Sequence, residues 1–184
     1  MRVPVTLLLL AAALAVLSVS AHGAVLSGPL LVALVFGLIG ALLLWRRLRR
    51  PRRPWIVVDG SNVLHWHPEG PRLAPVTAVV AFLTRQGLAP VVWFDANAGY
   101  LIEGRYLGPA PLARALGLPQ DQVYVAPKGT PADPLILRGA RMLSARVVTN
   151  DRYRDWTGAH PEVTAPGFLI RGRMEGDGVR LEGV

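Results

Sequence analysis

The chain has 184 residues, 20 Lys+Arg against 12 Asp+Glu, a formal charge of +8 and no cysteine. Without cysteine it holds no disulfide framework, no thiolate zinc or iron–sulfur site and no Cys nucleophile. With 52% hydrophobic and 17% charged residues and a mean hydropathy of +0.36, its composition is neither that of a disordered chain nor that of a typical soluble domain.

The excess charge is local. Seven arginines (Arg2, Arg46, Arg47, Arg49, Arg50, Arg52, Arg53) and no acid occupy residues 1–54, leaving 13 basic against 12 acidic residues beyond them. The basicity therefore flanks an apolar region and does not coat a folded face. His22 is the sole ionisable group between Val3 and Trp45. Around Ala21-His22-Gly23 this stretch divides into two apolar runs, which predict transmembrane helices over about 3–21 and 24–45, within a segment 1–46. Each run approaches the ~20 residues that cross a ~30 Å hydrocarbon core. Trp45 stands where an interfacial anchor belongs, and an Arg-rich juxtamembrane linker, 46–54, follows. The first run also carries the marks of a cleaved signal peptide: Arg2, an apolar core and small residues at Val19-Ser20-Ala21. A helical hairpin and a cleaved signal both leave the arginines and everything after them on the cytoplasmic side, at the inner or plasma membrane if the source is bacterial. The arginines can also meet anionic lipid headgroups or RNA, although topology alone accounts for them.

Residues 55–184 read as one small α/β domain, entered through Pro51 and Pro54. Trp55–Asp59 predicts a buried parallel strand ending in an acid. Ala74–Gln86 places Val76, Val79, Val80 and Leu83 at helical spacing, with Gly87 suited to its C-terminal cap. Pro90–Asp95 is a second strand, Leu112–Leu116 a short helix and Gln122–Ala126 a third strand. Pro131–Ser144 predicts a helix with Leu135, Ile136, Ala140 and Leu143 inward, and Arg146–Thr149 a fourth strand. Phe168–Met174 and Val179–Leu181 flank Glu175-Gly-Asp-Gly178 and predict a hairpin. Strands alternating with helices imply a largely parallel sheet with helices on both faces.

In such sheets ligands bind beyond the carboxyl ends of the strands. Asp59, Asp95 and Asp151 stand at or just past strand ends, and Asp133 begins the helix after the third strand. Four carboxylates at one edge repel one another unless a cation joins them, and an oxygen-rich cluster suits Mg²⁺ or Mn²⁺. Each acid taken alone also reads as a helix cap or turn residue, Asp95 most readily. Within Val58-Asp59-Gly60-Ser61-Asn62, Gly60 suits a tight turn, and Ser61 and Asn62 can hydrogen-bond backbone or ligand. In Thr149-Asn150-Asp151-Arg152-Tyr153-Arg154-Asp155 a helical turn would put Asp151 and Asp155 on one face, able to share a metal. Arg152 and Arg154 then face phosphates. Lys128, the only lysine, and Arg105 are further phosphate contacts to consider. His65-Trp66-His67, with one residue between the histidines, suits a loop or stacking role better than a metal site. Trp66 and Trp156 flank the site and suit base stacking or ordinary packing equally. No G-x-x-x-x-G-K or G-x-G-x-x-G phosphate loop occurs.

The D-G-S-N and T-N-D-R-Y-R-D motifs resemble the NYN branch of PIN-like ribonucleases, in particular the catalytic domain of the regnase (CCCH zinc-finger) ribonucleases. That family has a D-G-S-N after its first strand and an S-N-D-x-x-R-D-like motif after its fourth, and the likeness in element order extends over about Trp55–Leu181. It implies a PIN-like three-layer α/β domain with a mainly parallel central sheet, here preceded by the N-terminal transmembrane helices. It further implies Asp59, Asp151 and Asp155 as metal-site acids, with Asn62 positioning the first loop or the metal's water. The acid after the third strand is often an Asp-Asp pair in the family; here Asp133 stands alone before Pro134. Asp59, Asn62, Asp133, Asp151 and Asp155 thus form the expected catalytic set, with Ser61, Lys128, Arg152 and Arg154 toward substrate. The implied activity is Mg²⁺- or Mn²⁺-dependent hydrolysis of single-stranded RNA, leaving a 5′-phosphate and a 3′-hydroxyl. The expected partners are RNA and, through the N-terminal helices, membrane lipid; a homodimer is compatible with the resemblance. The chain has no Cys/His finger, so its RNA targeting differs from that of regnase. Two alternatives stand beside this reading. The near-neutral domain suits a non-catalytic module binding RNA or protein, and the acids also suit a metal-dependent phosphohydrolase with a non-RNA substrate.

Overall fold

The computed structural model describes residues 2–22, 28–48, 53–176 and 178–184. The chain divides into two compact units, 1–52 and 53–184. In the first, helices α1 (Arg2–His22) and α2 (Gly28–Leu48) are each 21 residues long. They pack through small residues: Ala11 and Ala33 are buried, and a Cβ placed on Gly37 would lie 3.8 Å from that of Ala11. Small side chains let the two backbones approach closely. Leu9, Leu17, Leu34 and Leu38 point outward and are exposed. Among the described residues no helix is long and apolar enough to cross a membrane. The expected transmembrane hairpin therefore has no support from the structure and rests on the sequence. Residues 49–52 of the expected linker lie outside the described residues.

The second unit begins with β1 (Trp55–Asp59), α3 (Gly60–Leu64), α4 (Leu73–Arg85) and β2 (Ala89–Phe94). Helices α5 (Ala98–Glu103) and α6 (Pro109–Leu116) lead to β3 (Val123–Val125). Helix α7 (Asp133–Leu143) returns the chain to β4 (Arg146–Val148) and β5 (Leu169–Ile170). The chain closes on a hairpin of β6 (Gly172–Glu175) and β7 (Gly178–Leu181). Strands β1 to β5 form one sheet in the order β3-β2-β1-β4-β5, with every pairing parallel. Strands β6 and β7 pair antiparallel beside it.

Alternation along the strands separates two cores, as the pleat demands. Ile56, Val58, Val92 and Phe94 face one side, where Val76, Val79, Val80 and Leu83 of α4 and Leu112 and Leu116 of α6 cover them. Val57 and Val147 face the other, under Ile136, Leu137 and Ala140 of α7. The result is three layers, helices over and under a sheet.

The predicted strands and long helices fall where the apolar spacing places them, with three differences. The short helices α3 and α5 were not expected. The segment expected as one strand, Phe168–Met174, is split: Leu169 and Ile170 join the sheet beside Val147 and Val148, and β6 starts after Arg171. Past the break Gly172 is closely packed: a Cβ there would stand 2.4 Å from Leu181 Cδ2 and 2.7 Å from the Trp66 ring. Asp177, in the hairpin turn, lies outside the described residues.

Gly60 also differs from its expected role. It lies in α3 and does not supply a positive φ; instead a Cβ there would meet the Phe94 ring at 2.6 Å and the Trp93 carbonyl at 2.8 Å. Phe94 is fully buried and the carbonyl belongs to the sheet, so neither yields readily. Gly60→Ala is expected to lower unfolding stability by about 1–3 kcal/mol, read as a lower urea midpoint at unchanged slope.

Candidate active site

From β1 the chain builds outward through β2 to β3, and α7 then carries it back to β4 on the opposite side of β1. The crevice beyond the carboxyl ends of β1 and β4 is thus the topological switch point of the sheet. Asp59 ends β1, and Thr149, Asn150 and Asp151 continue β4 into the same crevice.

Asp59 is only 5% exposed. Its Oδ1 accepts the Asn62 backbone N–H at 3.0 Å and so caps α3. Its Oδ2 accepts the Thr149 hydroxyl at 3.0 Å and the Tyr153 hydroxyl at 2.8 Å. Burial pushes the Asp59 carboxyl up to about 6; the three hydrogen bonds oppose that rise and the nearby Asp133 charge adds to it. Tyr153 is raised too, chiefly by burial and then by the adjacent Asp59, so its hydroxyl stays protonated and remains a donor.

Tyr153 adopts φ 47° and ψ 39°, the left-handed region. That conformation costs a side-chain-bearing residue roughly 1–3 kcal/mol. Its backbone N–H donates to Asp151 Oδ1 at 3.0 Å, and the Asp151 N–H donates to Thr149 Oγ1 at 3.1 Å. Thr149 therefore links the two acids, donating to one and accepting from the backbone of the other. This turn replaces the expected helical one. A 3₁₀ turn begins only at Arg154, beyond the left-handed residue, so Asp151 and Asp155 do not share a helical face. If Asp59 works in catalysis, Tyr153→Phe removes one of its donors and is expected to slow cleavage about 10–100-fold. The variant should still unfold cooperatively, since the ring and its burial remain.

Asp133 is the first residue of α7 and half buried. Burial raises its carboxyl, the Trp156 indole N–H (3.2 Å from Oδ2) opposes the shift, and the charges of Asp151 and Asp95 raise it further. Asp95 follows β2, and its backbone N–H donates to Ser61 Oγ at 2.7 Å. Asp133 thus stands within electrostatic reach of Asp59, Asp95 and Asp151. Asp155 is exposed, and no hydrogen bond or ion pair joins it to them.

Among the described residues no three acids or histidines stand close enough to hold a metal ion in common. The expected four-carboxylate cage is not preformed. The donors present still fit a hard divalent cation, because Mg²⁺ is usually held through one or two carboxylates and keeps several waters. The mutual repulsion felt at Asp133 is the electrostatic strain that such a cation relieves.

Asn62 positions its loop: its Oδ1 accepts Trp66 Nε1 at 3.0 Å and the Asn150 N–H at 2.9 Å. Ser61 ties the first loop to the end of β2. Lys128, Arg152 and Arg154 are exposed, whereas Arg105 pairs with Glu103 at 2.7 Å. His67 Nδ1 accepts the Glu69 N–H at 3.2 Å. Trp66 packs against the first core and Trp156 against the second, each with its indole N–H donated within the domain. Both tryptophans therefore take the packing role. Thr149 and Tyr153, which clamp Asp59, were not singled out from sequence; a hydroxyl at the end of β4 and a tyrosine two residues past Asp151 were the available signal.

The domain is a three-layer α/β fold with acids at or just past the carboxyl ends of its parallel strands. Residues 52–165 match the family model described as the Zc3h12a-like ribonuclease NYN domain, and the chain belongs to that family. Two solved structures of the nuclear protein-only RNase P 2 (PRORP2) of Arabidopsis thaliana are similar to it, each with a TM-score of 0.51 and 16% sequence identity. Each likeness covers 97% of this chain and 36% of that protein, so the chain spans about a third of its length. At that identity the likeness is one of fold. No curated protein matches the chain.

Proposed function

We propose that the chain is a divalent-metal-dependent endoribonuclease acting on single-stranded RNA, with its catalytic domain held at a membrane on the cytoplasmic side. The observation that carries this reading is the placing of Asp59, Asp95 and Asp151 at or just past the carboxyl ends of β1, β2 and β4, with Asp133 opening α7 within reach of their charges, in an NYN-family domain. Asp151 and Asp133 are the residues that would hold Mg²⁺ or Mn²⁺, Asp151 being the more exposed. Asp59, clamped by three donors, fixes the floor of the site and supplies a further buried negative charge. A bound divalent cation supplies positive charge against the scissile phosphate and acidifies water there. Arg152 and Arg154 would hold the flanking phosphates by charge-assisted hydrogen bonds, and Lys128 adds a point charge on the neighbouring loop. Asp155 adds acidic charge at the rim. Membrane attachment is supported by the two apolar runs and the arginines after Trp45 in the sequence. RNA, membrane lipid and a second copy of the chain are the proposed partners, the last on the family resemblance alone.

One observation favours a non-catalytic module: both oxygens of Asp59 already accept protein hydrogen bonds. The full chain in detergent, given a labelled unstructured RNA with and without Mn²⁺, separates the readings. Cleavage to 5′-phosphate ends that stops in EDTA supports the nuclease. Metal binding without cleavage points to a different phosphate ester, and neither one to the binding module.

A further inference from the structure

The loop that carries Asp151 is held from two sides. On one side Thr149 and Tyr153 reach Asp59. On the other, Asn150 commits its whole side chain to the backbone of one residue of the C-terminal hairpin: its Nδ2 donates to the Gly172 carbonyl at 2.9 Å, and its Oδ1 accepts the Gly172 N–H at 3.2 Å. The Asn150 backbone N–H donates to Asn62 Oδ1, which also accepts the Trp66 indole, and the Trp66 ring lies against Gly172. The contacts form a closed ring: Asn62, Asn150, Gly172, Trp66 and back to Asn62. Three separate stretches of chain meet in it: the D-G-S-N loop, the loop after β4, and β6.

The hairpin is itself fastened around this point. Glu182 N–H donates to the Arg171 carbonyl at 2.9 Å, and just ahead of the hairpin the Thr149 N–H donates to the Ile170 carbonyl of β5 at 3.0 Å. Arg146 Nη1 donates to the Gly183 carbonyl at 2.8 Å. All of β6 and β7 lies beyond residues 52–165, the part matched by the family model. Asn150 is exposed, and an exposed asparagine in a loop would ordinarily turn its amide to water; here both amide atoms are used as a strand's backbone would use them.

We propose that the C-terminal hairpin is the strap that positions the Asp151 loop, and that Asn150 is the positioning residue through which it acts. A loop containing left-handed Tyr153 stays in that conformation only while its surroundings hold it, and the Asn150–Gly172 pair is a second hold besides the contacts to Asp59. Any effect on cleavage rests on the nuclease reading above; the effect on the loop does not.

The test uses the full chain in detergent with Asn150→Ala and, separately, Gly172→Ala. Two quantities are read: hydrogen exchange of the amides of residues 150–153, and kcat and KM for the labelled RNA per folded molecule. Expected is exchange at those amides at least about 10-fold faster, with the β1 and β2 amides unchanged. With it, kcat should fall about 10–100-fold while KM stays within about 2-fold. Wild-type exchange rates in Asn150→Ala would overturn the proposal, and so would faster exchange with kcat unchanged, which marks a purely structural contact. Lower kcat with unchanged exchange would also overturn it, since Asn150 would then act on the substrate itself. If Gly172→Ala does not fold, Asn150→Ala decides alone. If the wild type cleaves no RNA, the nuclease reading falls and exchange alone judges the strap.

Discussion

At pH 7 and without divalent cation, the Asp59→Asn variant is expected to be more stable than the wild-type chain, by up to about 3 kcal/mol. Burial raises the Asp59 carboxyl from 3.8 to about 6, so the fold favours the neutral acid and its ionisation works against the native state. The contribution of this group is fully favourable below pH 3.8 and is lost as pH rises through 6. Urea denaturation of both proteins should therefore show a stability gap that is widest at neutral pH and closes toward pH 4. An amide at this position keeps the acceptor for the Asn62 N–H, and the Thr149 and Tyr153 hydroxyls can rotate to accept from it. The same variant should cleave RNA about 10²–10³-fold more slowly if the carboxylate acts in the site. A gain in stability joined to a loss of activity is the signature of a charge kept for function. A gap independent of pH would show that Asp59 is not the titrating group.

Asp151→Asn should behave differently. Asp151 is exposed, and the hydrogen bond it accepts from the Tyr153 N–H at 3.0 Å is one that an amide oxygen also accepts. Stability is therefore expected to stay within about 0.5 kcal/mol of wild type. What the substitution removes is the accessible negative charge nearest Asp133, and Mn²⁺ affinity measured by calorimetry should fall about 10–100-fold. Cleavage should fall about 10²–10³-fold. Unchanged affinity and rate would take Asp151 out of the site, whatever becomes of Asp59.

Much of the domain was legible because its elements are written in apolar spacing. Trp55–Asp59 and Pro90–Asp95 are nearly continuous hydrophobic runs, which only strands covered on both faces require, and α4 and α7 show helical spacing over more than two turns. The acids at the strand ends could be located for the same reason: once a strand is placed, so is its carboxyl end. Two kinds of feature were not legible. One is packing at contact distance, as at Gly60 and Gly172, where what matters is a neighbouring ring remote in sequence. The other is backbone conformation set by tertiary hydrogen bonds. Nothing local in Asp151-Arg152-Tyr153 calls for a left-handed tyrosine; Asp59, far upstream, holds it there. The helical turn expected from that segment was the locally reasonable choice, and it misplaced Asp155. The charge of Asp95 reaches Asp133 only through the sheet order, which no local sequence signal reveals.

The clamp on Asp59 also bears on when in the life of the chain the site comes into being. Its two hydroxyl donors lie 90 and 94 positions downstream, and the parallel pairing of β1 with β4 must close across β2, β3 and α7 before they arrive. Such long-range pairing is the slow part of folding. A ribosome that has released residues 53–148 has already presented Asp59, Asp95 and Asp133, yet of the three groups that hold the first of them only the Asn62 N–H. The clamp on Asp59 is accordingly complete only once synthesis has passed the fourth strand.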